Sequence, residues 1–582
     1  MSFMENLEAI RHSLAHLLGA SVLKLYPKSK LTLGPAIENG FYYDFDLSEK
    51  ITEADLEKIE KEMKVLYKDW HTFERKEVSA KEAKEIFKGN EYKLELIEGI
   101  EKEGGIISLY TSGDFTDLCR GGHVEDMQKI DLDGFKLDRI AGAYWRGDEK
   151  NKMLTRIYGL AFESKEKLDA YILQQEEAKK RDHRKLGKEL ELFTIIDEIG
   201  AGLPLFYPSG AILRRNIENF ITEVQEKRGF VPIWIPHITK GELYKISGHL
   251  DKYDAMYSPM KVDDDDYYLK PMNCPHFMML YRSLPHSYRD LPVRYVSTTT
   301  NYRYEKSGEL SGLTRVRALT QDDCHVFCEP TKIKNEIEVM LDMIKEVYSA
   351  FGFTDFYVRI SLRDPKNKQN YLGTDEVWNT AETALREIVH SSGLQYKEAE
   401  NEAAFYGPKL DFMFKDVIGR EWQLSTIQLD FNLPERFELE YVGNTGEKMR
   451  PVVIHRAMLG STERFMGIMI EHFGGSFPLW LSPEQVRVVP VGEKFNMFAG
   501  EITEALKNHG LRASLDEQNE SLGKRIREAK TKKVPYIIVV GEKEMSSGKL
   551  TIEKRTGEKM ENIAIDAFIA IVETDIKNKT LW

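Results

Sequence analysis

One cysteine and two histidines that lie far apart in the chain have the residue types of a zinc site. They are Cys274 in PMNCPHF, His325 in QDDCHVF and His455 in VVIHRAMLG. Zinc binds one thiolate and two neutral imidazoles readily, and a site with three protein ligands keeps one coordination position free. The sequence therefore predicts a metal ion that holds a substrate rather than one that only stabilises the fold.

Two arginines lie near these ligands in the sequence. In NYRYEKSGELSGLTRVRALTQDDCH, Arg303 and Glu305 alternate on a predicted strand that places both side chains on one face, and a long polar loop follows. In HRAMLGSTERFMGIMIEHF, a turn of small residues leads through Glu463 and Arg464 into an apolar helix. Guanidinium groups bind phosphate oxygens through paired hydrogen bonds and stay charged in a dry site. Two such arginines in one pocket would bind a triphosphate, so we expect an ATP site beside the metal.

These motifs resemble those of the class II aminoacyl-tRNA synthetases. The second signature motif of that family is an Arg-x-Glu strand and loop, and the third ends in Glu-Arg at the start of a helix. The first motif is present as an amphipathic helix, ILRRNIENFITEVQEKRGF, followed by VPIWIPHI, in which we expect Pro236 to end a strand. The resemblance implies an antiparallel-sheet catalytic core and a homodimer formed through the first motif around Pro236.

Within class II, the chain is similar over nearly its whole length to the members specific for threonine. In those enzymes a cysteine and two histidines in these motif contexts bind one Zn²⁺ per subunit, which takes the amino and hydroxyl groups of L-threonine. An apolar pocket separates nearly isosteric amino acids such as threonine and valine only about a hundredfold. The resemblance therefore implies attachment of L-threonine to tRNA(Thr) through a threonyl-adenylate, with ATP as a substrate. Serine also has a hydroxyl group, so a separate editing activity is expected.

The resemblance also assigns roles in the catalytic core. Arg303 binds the α-phosphate of ATP and Arg464 the γ-phosphate, while Mg²⁺ bridges phosphates. Glu305 contacts the adenine amino group, His249 helps the terminal ribose hydroxyl of the tRNA to attack, and Lys409 adds positive charge near the carboxylate or phosphate. The remaining expected ATP contacts are Gln423 and Thr426, and the expected contacts to threonine and its adenylate are Gln321, Asp323, Tyr406, Gln428 and Ser461.

Several of these residues also have a simpler interpretation. Without the resemblance, Tyr406 and Gln428 would be core or sheet-surface residues, and His249 would be a polar residue of a loop. Cys324 and Cys328 flank His325, but we interpret them as buried structural thiols rather than ligands.

A second group of histidine and cysteine residues lies nearer the N-terminus. His12 and His16 are four residues apart on one face of a predicted helix, and FTDLCRGGHV adds Cys119 and His123 with the same spacing. The spacing by itself leaves a second zinc site open. The resemblance instead implies an editing site that hydrolyses seryl-tRNA(Thr) with water, and we expect it to need no metal. The residues expected to place the ester and the water are Lys93, Asp117 and Tyr43.

The C-terminal part, from about Ser482, alternates between predicted strands and helices in the order βαβαββα. It resembles the anticodon-binding α/β domain of several class II synthetases. Glu553 stands where an arginine facing the anticodon is expected, so Lys554 or Arg555 would have to replace it. The expected anticodon contacts are Asn519, Lys524 and Arg527.

The predicted fold is therefore a multidomain α+β protein. We expect an α+β editing domain at 1–164, one long linker helix at 165–192, the class II catalytic domain at 193–481 and the α/β anticodon-binding domain at 482–582. Many bacterial relatives begin with a small β-grasp-like domain, and we expect this chain to lack it because the editing histidines start at residue 12. The sequence leaves open whether that absence is natural or a truncation.

Composition agrees with an intracellular enzyme. The chain has 582 residues, 42% of them hydrophobic, which is enough for several cores. Four cysteines give no disulfide framework, and no secretory or membrane-spanning segment is evident, so we expect a cytoplasmic protein without membrane contact. The net charge of −13 is compatible with RNA binding if basic patches face the phosphates.

Two other classes of function stay open at this point. A zinc hydrolase could use the three ligands Cys274, His325 and His455, but it would not need the motif arginines. A non-catalytic RNA-binding paralogue would be expected to lose a motif arginine or a metal ligand, and all of them are present.

Overall fold

The computed structural model describes residues 3–581. The chain forms two compact units, one ending at Glu176 and the other beginning at Glu177. No helix within the described residues is both long enough and apolar enough to cross a membrane.

The first unit is an α+β fold with two antiparallel sheets. Its long first helix, α1, buries Leu14, Leu17 and Leu18 in a core shared with the second helix and the larger sheet. The larger sheet has the order β1-β3-β8-β7 with β2 on β3, and the smaller one has the order β4-β5-β6. The helices are α1 (Phe3–Leu25), α2 (Leu56–Leu66), α3 (Ala80–Ile86) and α4 (Glu91–Lys102). The strands are β1 (Lys30–Leu31), β2 (Ala36–Ile37), β3 (Gly40–Asp46), β4 (Glu74–Glu77), β5 (Ser108–Ser112), β6 (Phe115–Leu118), β7 (Phe135–Tyr144) and β8 (Met153–Ala161).

The segment predicted as one long linker helix over 165–192 is two helices. They are α5 (Lys165–Arg181) and α6 (His183–Glu189). Asp182 separates them because its carboxylate accepts a hydrogen bond from the backbone N–H of Arg184 and so caps the start of α6. The prediction of a continuous helix was therefore wrong: a local cap outweighs helix propensity at this position.

The largest sheet of the second unit has eight strands. Its order is β11-β15-β16-β23-β20-β19-β17-β18, and every pairing is antiparallel except the two at the edges. The antiparallel-sheet core is thus confirmed. The strands of this part are β9 (Phe193–Thr194), β10 (Leu205–Phe206), β11 (Val231–Pro232), β12 (Ile238–Lys240), β13 (Met260–Val262), β14 (Asp265–Leu269), β15 (Val293–Tyr302), β16 (Ala318–Cys328), β17 (Phe356–Ser361), β18 (Tyr396–Ala399), β19 (Lys409–Lys415), β20 (Glu421–Asp430), β21 (Tyr441–Val442), β22 (Lys448–Met449) and β23 (Val452–Ala457).

Helices pack their apolar stripes against this sheet. Ile217, Ile344, Leu385 and Phe465 come from four different helices and share one buried core with the sheet. The helices are α7 (Pro208–Glu226), α8 (Gly241–Ser247), α9 (His249–Lys252), α10 (Cys274–Arg282), α11 (Ile333–Ala350), α12 (Asp375–Ser392), α13 (Asn432–Arg436) and α14 (Thr462–Phe473).

The central strands divide their side chains between the core and a cavity. On β16, Cys324 and Val326 belong to the hydrophobic core, whereas Gln321 and Asp323 line the cavity. Successive residues of a strand point to opposite faces, so alternate residues of one strand serve packing and chemistry in turn.

Two predicted strand ends differ from the structure. β15 ends at Tyr302, so Arg303 and Glu305 lie in the following loop and not on the strand itself. The strand of the first motif, β11, covers only Val231–Pro232, and Pro236 lies beyond it. Proline donates no backbone hydrogen bond, so two prolines within VPIWIP limit strand pairing there.

The C-terminal part of the second unit has a five-stranded sheet of order β25-β24-β26-β27-β28. The predicted order of elements missed a short helix, α17, and the last strand, β28, whose sequence KMENI is mostly polar. The elements are β24 (Val486–Pro490), α15 (Asn496–Asn508), β25 (Ala513–Leu515), α16 (Leu522–Thr531), β26 (Tyr536–Val540), α17 (Glu542–Ser547), β27 (Leu550–Lys554), β28 (Lys559–Ile563) and α18 (Ile565–Lys577).

Candidate functional site

A cavity of about 440 Å³ opens on the central sheet of the second unit, and we call it the sheet cavity. Its wall contains Cys274 and His455, together with both motif arginines, Arg303 and Arg464. Strands β16, β20 and β23 are neighbours in the sheet and supply part of the cavity lining. The predicted residues that line this cavity are Cys274, Arg303, Gln321, Asp323, Tyr406, Lys409, Gln423, Thr426, Gln428, His455, Ser461 and Arg464.

Cys274, His325 and His455, which we call the metal triad, come from three elements that meet at one end of this cavity. Cys274 is the first residue of α10, and His325 and His455 are paired residues on the adjacent strands β16 and β23. One ligand atom of each residue lies within 4.8 Å of the others, and all three residues are buried. Sheet register thus brings together residues that are more than a hundred positions apart.

The metal triad contains buried nitrogen atoms that lack a hydrogen-bond partner. Neither ring nitrogen of His325 is hydrogen-bonded, nor is Nδ1 of His455. Burial holds the pKa of His325 well below its ordinary value, so its imidazole is neutral and offers a lone pair. His455 Nε2 lies 2.9 Å from the carboxylate of Asp430, which orients the ring and leaves Nδ1 free. Burial by itself would lower the pKa of His455, but Cys274 and Asp430 raise it to about 10, so this imidazole has to release a proton when a metal binds. One cysteine and two oriented histidines are the ligand types that zinc prefers.

The motif arginines reach the cavity with their charges uncompensated. Among the described residues neither Arg303 nor Arg464 forms an ion pair; Arg303 Nε donates to the carbonyl of Pro271 at 3.3 Å, and Arg464 Nε to that of Thr314 at 2.9 Å. Burial and the positive charges of Arg303 and Arg315 lower the pKa of Arg464. Two guanidinium groups without a carboxylate partner form an anion site.

Glu305 is engaged within the loop that follows β15. Its carboxylate accepts a hydrogen bond from Arg315 Nε at 2.9 Å, and Arg315 also pairs with Glu309. Glu305 does not line the sheet cavity in this arrangement. A contact to adenine would therefore be made by a loop residue whose charge is already shared with an arginine.

A buried carboxylate that the sequence did not indicate organises the predicted ATP contacts. Asp411 is fully buried and accepts hydrogen bonds from Lys409 Nζ at 2.7 Å, Gln423 Nε2 at 2.7 Å and Thr426 Oγ1 at 3.0 Å. Arg359 adds a further contact at 3.1 Å. Lys409 is thus paired with Asp411, so it contributes less free positive charge than we expected. Polar and apolar residues alternate at the start of KLDFMFK, which is only a weak sequence signal for Asp411 on this strand.

A second polar network below the cavity was also missed. Lys270 is fully buried and donates to Asn273 at 2.9 Å and to Thr299 at 2.7 Å, and Asn273 in turn donates to Asp323 at 2.8 Å. Burial lowers the pKa of Lys270 to about 8 and raises that of Asp323 to about 6. Asp323 is therefore held in place through a buried lysine that has no carboxylate within hydrogen-bond distance among the described residues.

Tyr406 and Gln428 lie together on the cavity wall, where the tyrosine hydroxyl donates to Gln428 at 2.9 Å. His249 is fully buried and lies behind the wall: Nε2 is 3.1 Å from the sulfur of Met272, and Nδ1 is 2.7 Å from the hydroxyl of Ser247. Burial lowers the pKa of His249 to about 4, so this imidazole is neutral. The structure therefore brings Tyr406 and Gln428 to the cavity and leaves His249 one layer away.

Glu463 connects the three motifs. Its carboxylate accepts hydrogen bonds from Arg214 on α7 at 2.7 Å and from the backbone N–H of Thr320 on β16 at 2.7 Å. Ser461 caps α14 by accepting from the backbone N–H of Arg464 at 3.1 Å. Glu463 therefore positions the segment that carries Arg464, and Arg214 was visible in the sequence only as an arginine within an amphipathic helix.

The first unit contains a separate cavity of about 470 Å³, which we call the N-terminal cavity. His12, His16, Cys119 and His123 converge at its base, and we call these four residues the histidine–cysteine cage. The sulfur of Cys119 is 3.4 Å from Nε2 of His12 and 3.5 Å from Nε2 of His123, and Nε2 of His16 is 3.3 Å from that of His12. Helix α1 supplies two members, one turn apart, and the segment after β6 supplies the other two.

The charges inside the cage are strongly coupled. Burial by itself would raise the pKa of Cys119, but hydrogen bonds from His12, His123 and His16 lower it to about 3. Burial would likewise lower the pKa of His16, but Asp117 and Cys119 raise it to about 9. At neutral pH the cage therefore holds a thiolate next to an imidazolium.

An ion pair supports the cage from below. Asp117 contacts His16 Nδ1 at 3.3 Å and Lys93 Nζ at 2.5 Å, and Tyr43 donates to it at 2.5 Å. Despite the cost of burial, Lys93 and His16 hold the pKa of Asp117 well below its usual range. Tyr43 is 1% exposed and does not line the cavity, so it supports Asp117 rather than facing the cavity.

The predicted anticodon residues lie near the start of α16. Asn519 is exposed in the preceding loop, Lys524 pairs with Glu520 at 2.6 Å, and Arg527 is exposed on the helix. Glu553 pairs with Lys530 at 2.6 Å.

The expectation that Lys554 or Arg555 replaces the missing arginine is not supported by their contacts. The guanidinium of Arg555 donates to the carbonyls of Lys533, Ser476 and Phe477, so it holds neighbouring segments together. Lys554 pairs with Glu558 at 2.9 Å.

Comparison with known proteins agrees with this arrangement. The family described as "tRNA synthetase class II core domain (G, H, P, S and T)" matches residues 257–473, "Anticodon binding domain" matches 485–575, and "Threonyl and Alanyl tRNA synthetase second additional domain" matches 107–158. A threonine–tRNA ligase from Cytophaga hutchinsonii is 48% identical over 571 residues, which are 97% of this chain and 88% of the relative. One from Rubrobacter xylanophilus is 49% identical over 575 residues, 98% of this chain and 89% of the relative. The chain belongs to the threonine–tRNA ligase family.

Solved structures from the same family agree with the fold. The crystal structure of the RNA binding domain of threonyl-tRNA synthetase from Cryptosporidium parvum is 37% identical, with a TM-score of 0.64, and covers 68% of this chain and 98% of that one. Membership of the threonine–tRNA ligase family confirms the predicted enzyme class and the three predicted types of domain. It leaves no support for a zinc hydrolase or a non-catalytic paralogue.

Proposed function

We propose that the chain attaches L-threonine to tRNA(Thr) in an ATP-dependent reaction through a threonyl-adenylate, and that it hydrolyses mischarged seryl-tRNA(Thr) at the N-terminal cavity. The observation that supports the synthetic function is the sheet cavity. Its wall contains Cys274 and His455 of the metal triad together with two arginines that form no ion pair among the described residues. Family membership supplies the ligase activity.

Cys274, His325 and His455 would hold the zinc ion, and Asp430 would orient His455 through Nε2. When bound, zinc supplies a Lewis acid that distinguishes a hydroxyl-bearing amino acid from an apolar one of the same shape. Tyr406, Gln428 and Asp323 lie on the same wall and would hold the amino acid there through hydrogen bonds.

In the first step, a carboxylate oxygen of threonine attacks the α-phosphorus of ATP, the bond to the bridging oxygen breaks, and pyrophosphate leaves with its electron pair. Arg303 would bind the α-phosphate and Arg464 the γ-phosphate, where their positive charges would stabilise the negative charge that develops on the phosphates; Mg²⁺ bound with ATP would add further positive charge. Gln321, Gln423 and Thr426 line the cavity beside them, and Ser461 keeps Arg464 at the start of α14. Positioning accounts for most of this chemistry, because the protein forms no covalent bond.

In the second step, a terminal ribose hydroxyl of the tRNA attacks the carbonyl carbon of the adenylate, and AMP leaves. The neutral imidazole of His249 has the protonation state that a proton acceptor needs. Because His249 lies behind Met272, it can serve this step only if the Met272 side chain moves when the tRNA binds.

For editing, we propose that water attacks the seryl ester within the N-terminal cavity and that the serine and the tRNA hydroxyl separate. His12, His16 and Cys119 line this cavity and would orient the water and the ester, with His123 completing the cage and Lys93 and Asp117 fixing its charges. Tyr43 supports Asp117 from below.

The domains, the anticodon contacts and the dimer form the last part of the proposal. We propose an editing domain at 1–164, a linker at 165–192, a catalytic domain at 193–481 and an anticodon-binding domain at 482–582. Asn519, Lys524 and Arg527 would contact the anticodon. Exposed apolar residues beside the first motif support a homodimer through the region around Pro236; they are Val231, Trp234 and Ile238, with 54%, 78% and 50% of their surface exposed.

Amino-acid-dependent exchange of pyrophosphate into ATP tests the synthetic function. The protein is assayed with threonine, serine and valine, first as isolated and then after removal and return of zinc. We expect strong exchange with threonine, weaker exchange with serine, none with valine, and loss of exchange when zinc is removed. If zinc-loaded protein supports exchange with no amino acid, the proposed function is wrong.

A further inference from the structure

The histidine–cysteine cage has the dimensions of a tetrahedral metal site. Three distances between its ligand atoms are 3.3 Å between two nitrogens and 3.4 and 3.5 Å between nitrogen and sulfur. All four ligand atoms lie within 4.8 Å of one another. A tetrahedral zinc ion, with bonds of about 2.0–2.1 Å to nitrogen and about 2.3 Å to sulfur, has ligand edges of about 3.3–3.6 Å. These three of the six ligand-to-ligand distances therefore already match the edges of a zinc tetrahedron.

The surroundings of the cage also match those of a metal site. His16 presents Nε2 to the cage, while its Nδ1 lies 3.3 Å from Asp117, the carboxylate–histidine arrangement that orients metal ligands. The backbone N–H of Gly121 donates to the sulfur of Cys119 at 3.3 Å. Phe73 stacks on the ring of His123 with centroids 4.0 Å apart. Three of the four ligands are thus held in place by groups outside the cage.

The number of ligands decides what a bound ion would do there. Catalytic zinc sites have three protein ligands and keep a position open, whereas sites with four protein ligands are closed. The metal triad belongs to the first type and the histidine–cysteine cage to the second. An ion in the cage would engage all four side chains and leave no coordination position for water or for the ester.

We propose that the histidine–cysteine cage binds Zn²⁺ as a closed four-ligand site and that this binding blocks hydrolysis of seryl-tRNA, so that zinc supports synthesis at one cavity and inhibits editing at the other. The inhibitory part rests on the proposed editing function, because it requires that the metal-free cage be the hydrolytic form. The binding part rests on geometry alone.

Metal content measured on the full chain tests binding. After complete removal of zinc, the protein is incubated with ZnCl₂, freed of excess metal and analysed for zinc. We expect one equivalent more in the unaltered protein than in the double variant C119A/H123A, and no change in His71→Ala, which removes an exposed histidine of the same unit. Equal zinc contents in the unaltered protein and C119A/H123A would overturn the proposal.

A second measurement does not depend on altering the cage. In Cys274→Ala, cobalt added in place of zinc should still give the absorption of a thiolate–cobalt bond, since Cys119 remains and the other two cysteines, Cys324 and Cys328, are buried in the core. Absence of this band would overturn the proposal even if the double variant is misfolded.

Hydrolysis of preformed seryl-tRNA(Thr) tests inhibition. We expect hydrolysis to be lost in proportion to the second equivalent of zinc and restored by a chelator, while pyrophosphate exchange with threonine persists at the same zinc level. Faster or unchanged hydrolysis on zinc loading would overturn the inhibitory role. If the metal-free chain does not hydrolyse seryl-tRNA at all, the editing function fails instead, and zinc content still reports on the cage.

Discussion

The two cavities use the same side-chain types in opposite ways. In the metal triad of the sheet cavity, three ring nitrogens of two buried histidines have no hydrogen-bond partner. In the histidine–cysteine cage of the N-terminal cavity, the ligand atoms satisfy one another at 3.3–3.5 Å, and Asp117 supports them. Buried polar atoms without partners are rare in proteins, and a bound metal ion would supply the partner for those of the metal triad. The two sites therefore differ in their hydrogen bonding without a metal ion: the metal triad has buried nitrogens without partners, whereas the ligand atoms of the cage are hydrogen-bonded to one another.

The buried lysines show the same contrast. Lys93, below the cage, forms an ion pair with Asp117, whereas Lys270, below the sheet cavity, donates only to the neutral side chains of Asn273 and Thr299. Lys93 therefore has a carboxylate in direct contact, whereas Lys270 donates only to neutral groups and is attracted to the carboxylate of Asp323 from a longer distance. The two regions should therefore respond differently to mutation, to metal removal and to pH.

The largest difference should follow the change Arg464→Ala. This substitution removes a charged group from the proposed γ-phosphate site on the leaving pyrophosphate. Arginines that stabilise the charge developing on reacting phosphates contribute about 10³-fold or more to the rate. We expect threonine-dependent pyrophosphate exchange to fall by about 10³-fold, whereas hydrolysis of seryl-tRNA in the other unit stays unchanged. Arg464→Lys should recover part of the rate, because it keeps the charge but loses the two-pronged hydrogen bond. Equal exchange rates in Arg464→Ala and the unaltered protein would contradict the assignment.

The next largest effect concerns the ion pair of the cage. Lys93→Met removes the closer of the two cations that contact the buried carboxylate of Asp117 and leaves only His16. Breaking a buried ion pair typically costs about 3–5 kcal/mol. We expect the thermal transition of the first unit to shift strongly downward in calorimetry, together with a loss of seryl-tRNA hydrolysis. Lys270→Met is the matched control, because it leaves only neutral partners behind and should cost less. A larger loss of stability in Lys270→Met would reverse the comparison.

A smaller effect should appear at the metal triad. Asp430→Asn keeps an oxygen for the backbone N–H groups of Asn432 and Leu433 but removes the charge that orients His455. Changes of this kind lower metal affinity about 10–100-fold. Competition with a zinc chelator measures the affinity, and seryl-tRNA hydrolysis at the cage serves as the control. Unchanged zinc affinity would show that Asp430 does not orient His455.

The effect that is smallest for each pH unit is the pH dependence of the second unit's stability. Burial lowers the pKa of Lys270 from 10.5 to about 8, so between these values the unfolded chain binds a proton that the folded chain does not. Stability should therefore rise with pH across this window, by up to about 1.4 kcal/mol per pH unit. The difference in melting temperature between the unaltered protein and Lys270→Met, followed from pH 8 upward, measures it. A difference that does not change with pH would rule out this charge effect.

The sequence was sufficient for the elements with strong local signals. The amphipathic helix α1, the capped helix α14 and the alternating strands of the core are recognisable because their periodicity and end residues are local features. The same holds for the hairpin between β13 and β14, in which an acidic turn at Asp263 separates the two strands. Strand ends were less predictable, since pairing partners rather than local sequence decide where β15 stops at Tyr302.

By itself, the sequence determined the types of the reactive residues, their order along the chain and the family to which they belong. Only the tertiary structure decided which of them meet. His325 and His455 are neighbours because β16 and β23 pair in one register, and Arg214, Glu463 and Thr320 converge from three separate elements. Asp411 and Lys270 gave no motif, because a buried polar group is defined by distant partners and not by local periodicity. Long-range pairing of this kind follows from packing and hydrogen-bond satisfaction across the whole sheet, which no short stretch of sequence contains.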